Sequence, residues 1–191
     1  MSKNNNIPTF LQKTFRHLKT IHEHRSLVRK FCFQCGLYKQ GLTHDLSKYS
    51  FAELFPSIRY YQGYRSPYTK EKELHGYSLG WLHHKGRNKH HWEYWWDKID
   101  GKWQAIKMPQ NYVVESICDR IAACKVYQKE QYTQSSALNY YLNSHDEQNL
   151  HLFTANLFER ILHYIAKHGE DAAFKRIKTL IKQKKDLYDA F

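Results

Sequence analysis

The chain has 191 residues, of which 41% are hydrophobic and 16% aromatic, and its 30 lysine and arginine residues outnumber its 18 acidic residues. This composition excludes a disordered chain, and the length suits one domain with a buried core. The formal charge of +12 favours polyanionic partners, which include nucleic acids, nucleotides and other phosphorylated molecules. No apolar run approaches the roughly 18 residues that a membrane span requires, so we expect a cytoplasmic protein with no membrane segment.

A long amphipathic helix is predicted over residues 9–35, after a flexible polar tail at residues 1–8. Apolar residues recur in this stretch every three or four positions, which is typical of a helix with one face on a core. His24 lies in that stripe, three residues after Ile21, so its side chain should point inward. His17 and His22 lie nearer the edges of the stripe. A single inward histidine is most often a hydrogen-bonded core residue, so His24 needs support from elsewhere.

His44 and Asp45 provide that support. Their adjacent imidazole and carboxylate offer one metal ion a nitrogen and an oxygen ligand, a combination that suits Mn, Fe, Co, Ni or Zn better than Ca or Mg. In a helical turn Lys48 would share their face and contact a phosphate, although it can equally be a solvated surface lysine. Directly afterwards, the sequence from Ser50 to Glu53 resembles a capping box, which predicts the start of a helix.

The segment from Gly80 to Trp96 contains four histidines and four tryptophans. It follows residues 60–74, which we predict to be an exposed loop beside a cleft, and it precedes a polar connection at residues 97–109. The tryptophans most simply anchor the segment to the core, whereas the paired histidines can ligate metal, bind phosphate or satisfy one another in an aromatic helix-turn-helix. The histidines are His83, His84, His90 and His91, and the turn between the pairs contains Arg87.

Asp119 lies inside an apolar helix predicted over residues 111–131. A carboxylate in such a setting needs a cation or strong hydrogen-bond donors, and Glu115, one turn earlier, could share its face. The alternative is a surface aspartate paired with Arg120 or Lys125. Further along, residues 154–168 read as another helix, and residues 170–191 as an accessory basic helix packed on a domain that spans residues 9–168.

The order of these residues resembles a known ligand pattern. His24, then His44 and Asp45, then Asp119, all in an all-α chain, is similar to the His…His-Asp…Asp order of the HD-domain superfamily of metal-dependent phosphohydrolases. The chain more closely resembles an uncharacterised family of small proteins with three motifs. These motifs are His-Asp-[Leu/Trp]-Ser-Lys, Trp-Leu-His-His-x-x-x-Asn-x-His-His-Trp and Met-Pro-x-x-Tyr, found here at residues 44–48, 81–92 and 108–112.

The resemblance implies an HD-like helical bundle of five or more helices, in which a divalent transition metal activates water against a nucleotide or another phosphoester. It assigns the metal ligands to His24, His44, Asp45 and Asp119. The candidate catalytic residues are Asp45, Lys48, His83 and His84. The candidate substrate-binding residues are Lys48, Arg87, His90 and His91. The additional histidines leave open a second ion or oxygen chemistry at a di-iron centre. A nucleic-acid or partner-binding module with structural histidines is the alternative from a different functional class.

Overall fold

The computed structural model describes residues 9–191, and the tail predicted at residues 1–8 lies outside the described residues. In this part of the chain, ten α-helices accompany a single two-stranded sheet, so the all-α prediction is confirmed. The helices are α1 (Phe10–Gln34), α2 (Tyr38–Thr43), α3 (Phe51–Tyr60), α4 (Pro67–His75), α5 (Leu79–Arg87), α6 (Gln110–Gln128), α7 (Ser136–Ser144), α8 (Leu152–His168), α9 (Glu170–Lys182) and α10 (Leu187–Ala190). None of the described helices is long and apolar enough to cross a bilayer.

The first helix begins where the sequence predicts. The Thr9 side chain accepts a hydrogen bond from the backbone of Gln12, and the Gln12 side chain accepts one from the backbone of Thr9, which completes a capping box. The predicted inward stripe is present from Ile21 onwards, where His24 and Val28 are buried, but its first members Leu11 and Phe15 are exposed. His17 is buried as well, at 5% exposure, so the expectation that it lies at the edge of the stripe is wrong.

The hydrophobic core lies between α1, α6, α8 and α9. On α6, Ile117 and Ile121 are fully buried, and Phe158 and Ile161 face them from α8. The single basic helix predicted at residues 170–191 is divided, since α9 ends at Lys182 and the short α10 follows it; the apolar face of α9 belongs to this same core. The Phe174 ring of α9 packs against the Phe31 ring of α1 at a centroid distance of 5.4 Å. The helix α9 therefore contributes to the stability of the whole bundle.

The capping box predicted at the start of α3 is wrong. Ser50 is the N-cap residue, but its hydroxyl makes no capping hydrogen bond within residues 9–191. Glu53 does not fold back on the helix start because its carboxylate is fully buried and accepts hydrogen bonds from two histidines of α5. Glu53 therefore makes a contact between α3 and α5 instead of a local helix cap.

Two stretches predicted to lack regular structure are more ordered than expected. The predicted loop at residues 60–74 contains most of α4, which starts at Pro67, a residue well suited to the first turn of a helix. The connection at residues 97–109 contains most of a hairpin of β1 (Trp96–Ile99) and β2 (Lys102–Ala105), which pair antiparallel. Its turn residues Asp100 and Gly101 both have positive φ, the conformation that tight hairpin turns require.

Candidate metal centre

Asp45 lies at the centre of a polar interior bounded by α1, α3, α5 and α6. Its side chain is fully buried, and its backbone has the left-handed conformation with a φ of 53°. Aspartate tolerates this conformation better than most residues do. This backbone kink, between α2 and a 3-10 helix at Leu46–Tyr49, turns its carboxylate inward. Its Oδ1 has no hydrogen-bond partner in the described part of the chain. The closest cation is Lys48, whose Nζ lies 2.6 Å from Oδ2.

Three residues, His24, His44 and Asp119, lie around one oxygen of Asp45. His24 Nε2 on α1 lies 2.9 Å from Asp119 Oδ1 on α6 and 3.6 Å from Asp45 Oδ2. His44 Nε2 lies 3.4 Å from each of these same two oxygens. All four potential ligand atoms are within 4.8 Å of one another, which is close enough to hold one ion. We call His24, His44, Asp45 and Asp119 the first ligand group.

A second set of imidazoles faces the other oxygen of Asp45. His84 Nε2 lies 3.4 Å from Asp45 Oδ1, and His90 Nε2 lies 3.5 Å from the same atom. His91 completes the set within the same 4.8 Å limit. We call Asp45, His84, His90 and His91 the second ligand group. Because Asp45 belongs to both groups through different oxygens, it can bridge two ions.

Two buried glutamates orient the histidines from behind. Glu115 Oε1 lies 2.9 Å from His44 Nδ1 and 3.2 Å from His90 Nδ1. Glu53 accepts from Nδ1 of His84, with its other oxygen 2.7 Å from Nδ1 of His83. A carboxylate on Nδ1 fixes the ring so that Nε2 faces the centre, an arrangement that commonly supports metal-binding histidines.

The remaining close cluster consists of His44, His90 and Glu115. Its imidazoles contribute the Nδ1 atoms that already donate towards the glutamate, whereas their Nε2 atoms have no hydrogen-bond partner within the described residues. We therefore interpret Glu115 as an orienting carboxylate and not as a third ion site. Metal ligands are expected among the unpaired Nε2 atoms.

The charges at the centre compensate one another. Burial would raise the pKa of Asp45, but the neighbouring His44 and Lys48 hold that pKa well below its ordinary value. Burial would likewise raise the pKa of Asp119, and the neighbouring imidazoles of His24 and His44 lower it well below the ordinary range instead. Both carboxylates are therefore ionised at neutral pH, which is the form that binds a cation.

Two imidazoles of the second ligand group, those of His84 and His91, have lowered pKa values. Burial lowers the pKa of His84, and it lowers the pKa of His91 strongly, with the adjacent His90 acting in the same direction. These rings are consequently neutral at pH 7 and have a nitrogen lone pair available for a metal.

A cavity of about 570 Å³ opens onto both ligand groups, and we call it the site cavity. Lys48 lines it, together with His24 and Asp119 from the first group and His84 and His91 from the second. Its other walls include the cationic side chains of Arg65, Lys72 and Arg120. Glu93 and Asp146 also line the cavity, and Asp146 pairs with Arg120, so its wall carries charges of both signs.

The structure brings together most of the residues singled out in the sequence. His24, His44, Asp45, Lys48, His84, His90, His91 and Asp119 all lie at the centre. His83 points away from it towards Glu53 and is partly exposed. Arg87 is exposed at the end of α5 and is not among the described residues that line the site cavity. The surface alternative for Asp119 does not apply, since Arg120 pairs with Asp146 and Lys125 with Glu170.

Sequence reasoning missed the role of Glu53. The available signal was its position as the only acidic residue of a mostly apolar helix, but the capping-box pattern accounted for it equally well. Asn88, in the histidine motif, was also overlooked. Its side chain donates 2.8 Å hydrogen bonds to Ser47 Oγ and to the backbone oxygen of His84, which ties the end of α5 to the segment that contains Asp45.

Comparison with known proteins gives one family. Residues 13–164 match the model of a family described as "Family of unknown function (DUF5662)". No curated protein and no solved structure matches the chain. The matched range contains both ligand groups and both orienting glutamates. The chain therefore belongs to the DUF5662 family.

Proposed function

We propose that this protein is a metal-dependent phosphohydrolase that acts on a small phosphorylated molecule, with Asp45 bridging two divalent ions. The observation that carries the proposal is the environment of the Asp45 carboxylate. Each of its oxygens faces its own set of Nε2 atoms; Oδ2 pairs with the Lys48 ammonium, and Oδ1 has no hydrogen-bond partner among residues 9–191. Buried charged groups of this kind are normally paired or coordinate a metal.

The ligand atoms favour a transition metal. Imidazole nitrogens outnumber carboxylate oxygens, which suits Mn, Fe, Co, Ni or Zn better than Ca or Mg. A bound ion of this type lowers the pKa of a water ligand towards neutrality and so supplies a nucleophile. The ligand order of the first group is also the order by which the chain resembles the HD-domain superfamily, whose members hydrolyse phosphoesters.

Lys48 is placed to bind the phosphate. Its ammonium group lies beside Asp45 and lines the site cavity, so it can hold a phosphate oxygen next to the centre. Lys72 and Arg65 add positive charge to the cavity wall. A phosphate in this position would contact Lys48, and its organic part would extend along the cavity.

The size of the site cavity favours a small molecule. Its volume of about 570 Å³ lies within the roughly 300–1,000 Å³ that is usual for small-molecule sites, and the histidines lie inside it instead of on the outer surface. This favours a nucleotide or another phosphorylated metabolite over a nucleic-acid duplex. The basic charge of the chain then serves to attract anionic substrates.

The test is a hydrolysis assay with a panel of nucleoside monophosphates and generic phosphoesters, with Mn, Fe, Co, Ni and Zn added separately. Wild type should cleave at least one of them. Lys48→Ala should keep its metal but raise KM by roughly tenfold, because a lysine contributes charge to the substrate and not to the metal. The matched control is Lys175→Ala, which removes an exposed lysine of α9 and should behave as wild type.

Two outcomes would contradict the proposal. A protein that binds metal yet cleaves none of the phosphoesters points to redox chemistry at the same centre. A protein without metal that binds polynucleotides in a salt-sensitive manner points to a nucleic-acid module.

A further inference from the structure

His17 lies in the wall of the site cavity, apart from both ligand groups. It precedes His24 by seven residues on α1, so the two share a face of the helix and lie roughly 10 Å apart along its axis. The residue is 5% exposed, and its ring packs against Tyr61 at a centroid distance of 5.1 Å. Neither of its ring nitrogens has a hydrogen-bond partner anywhere in the described chain.

A buried imidazole without partners destabilises the protein that contains it. A neutral ring has one hydrogen-bond donor and one acceptor, and leaving both unpaired away from water is unfavourable. An apolar side chain would fit this face of α1, as Ile21 does one turn later. The polar ring is therefore explained better by a bound molecule that pairs with it than by the packing of the helix.

The chemistry of the ring limits what it can recognise. Burial, with a smaller contribution from the charge of Lys48, lowers the pKa of His17 to about 4, so the ring is neutral at pH 7. A neutral imidazole pairs well with a group that both donates and accepts, such as a hydroxyl or an amide edge. The terminal torsion of histidine has a broad energy minimum, so the ring can turn a nitrogen towards a ligand without leaving its position.

We infer that His17 is a substrate-positioning residue, which binds an uncharged hydroxyl or amide group in the part of the substrate remote from the phosphate. The inference rests on the proposed function, because it takes the phosphate to lie beside Lys48. From the spacing on α1, the recognised group lies on the order of 10 Å from the metal centre. Nucleoside-like phosphomonoesters belong to this class, whereas simple aryl phosphates do not.

The experiment compares wild type with His17→Phe, which keeps a ring but removes both nitrogens. In the metal-free protein the substitution should raise Tm by about 4 °C, because an unpaired polar group is replaced by an apolar one. In the metal-loaded protein it should raise KM for ribonucleoside 5′-monophosphates by about tenfold and leave KM for phenyl phosphate within about twofold. Metal content should not change.

Two further variants separate positioning from a purely structural role. His22→Phe makes the same change at an exposed position of α1 and should alter neither KM nor metal content. His17→Gln keeps a donor and an acceptor, so it should restore KM for the nucleotides to within about threefold of wild type.

A lower Tm for His17→Phe would overturn the inference, because it would show that the ring is already satisfied in the folded protein. An unchanged KM for every nucleotide that wild type cleaves would overturn it as well. If wild type cleaves no phosphoester, the proposed function fails. The inference about His17 is then tested by the binding of a nucleoside monophosphate to the protein. A rise in Tm on addition of a nucleoside monophosphate, present in wild type and lost in His17→Phe, would support it, and equal or absent rises would refute it.

Discussion

The two sides of α6 face different surroundings, one apolar and one charged. One side presents Ile117 and Ile121 to the apolar core, where each side chain is packed against others. The opposite side presents Asp119 and Glu115 to a centre where charged groups lie together and several ring nitrogens have no hydrogen-bond partner in residues 9–191. The first side stabilises the fold. The second side places unpaired ligands where they destabilise the metal-free protein unless a cation binds, which is the arrangement expected of a functional site.

The largest effect should come from the apolar side of α6. Ile117→Ala removes a fully buried side chain and should lower the free energy of unfolding by about 2–5 kcal/mol, because the packed core cannot close the cavity. Urea denaturation of the metal-free protein measures this change. Metal affinity should stay at the wild-type value, since Ile117 belongs to the apolar core; a parallel loss of metal would mean that the two sides are not separable.

A smaller effect concerns the pH dependence of stability. The pKa of His17 is lowered to about 4 from an ordinary value of 6.5, mainly by burial and also by Lys48. Between these values the unfolded chain binds a proton that the folded chain does not, so the free energy of unfolding falls as the pH decreases from 6.5 to 4. The loss from this residue approaches about 3 kcal/mol at pH 4 and is absent above pH 6.5.

The variant His17→Phe isolates that contribution. Denaturation curves at pH 7 and pH 4.5 should show a smaller loss of stability in the variant than in wild type, although other groups near the cavity, such as Lys48 and Tyr61, remain unchanged. Equal losses in the two proteins would show that His17 is accessible to protons in the folded state.

The orienting glutamates should have a milder effect on the centre. Glu115→Gln should weaken binding of both ions by roughly 10- to 100-fold, because Glu115 supports one histidine of each ligand group. Glu53→Gln should weaken only the ion of the second group, since it supports His84 but no ligand of the first. Titration of the two variants with Co²⁺ or Mn²⁺ distinguishes the cases; identical behaviour would mean that the two groups do not bind separate ions.

Periodicity in the sequence identifies the first ligand group better than the second. His24 and Asp119 lie in regular helical stripes, so their inward direction follows from spacing alone. For the paired residues His83 and His84, the choice of the inward member depends on the rotation of α5, which is set by contacts of Glu53 with both rings. Such contacts join residues about 30 positions apart, and local sequence patterns do not contain them.

For His17 and Glu53 as well, the local sequence does not predict the surroundings of the side chain. The sequence pattern predicts His17 at the edge of the stripe on α1, whereas the residue is buried and packs against Tyr61, which is distant in sequence. Glu53 fitted a local capping pattern that the structure does not use. In both cases the fold of single helices is predictable from the sequence, whereas the surroundings of a side chain depend on which helices pack together.

The most direct test of the account is the metal-to-protein ratio of Asp45→Asn compared with wild type, after purification without chelator and saturation with one metal. The account predicts about two ions per chain in wild type and a loss of both ions in the variant, because a single residue bridges the two groups. The exposed Asp97→Asn provides the matched control, and circular dichroism should show the same helical content in all three proteins. Wild type without bound metal, or Asp45→Asn with the wild-type ratio, would contradict it.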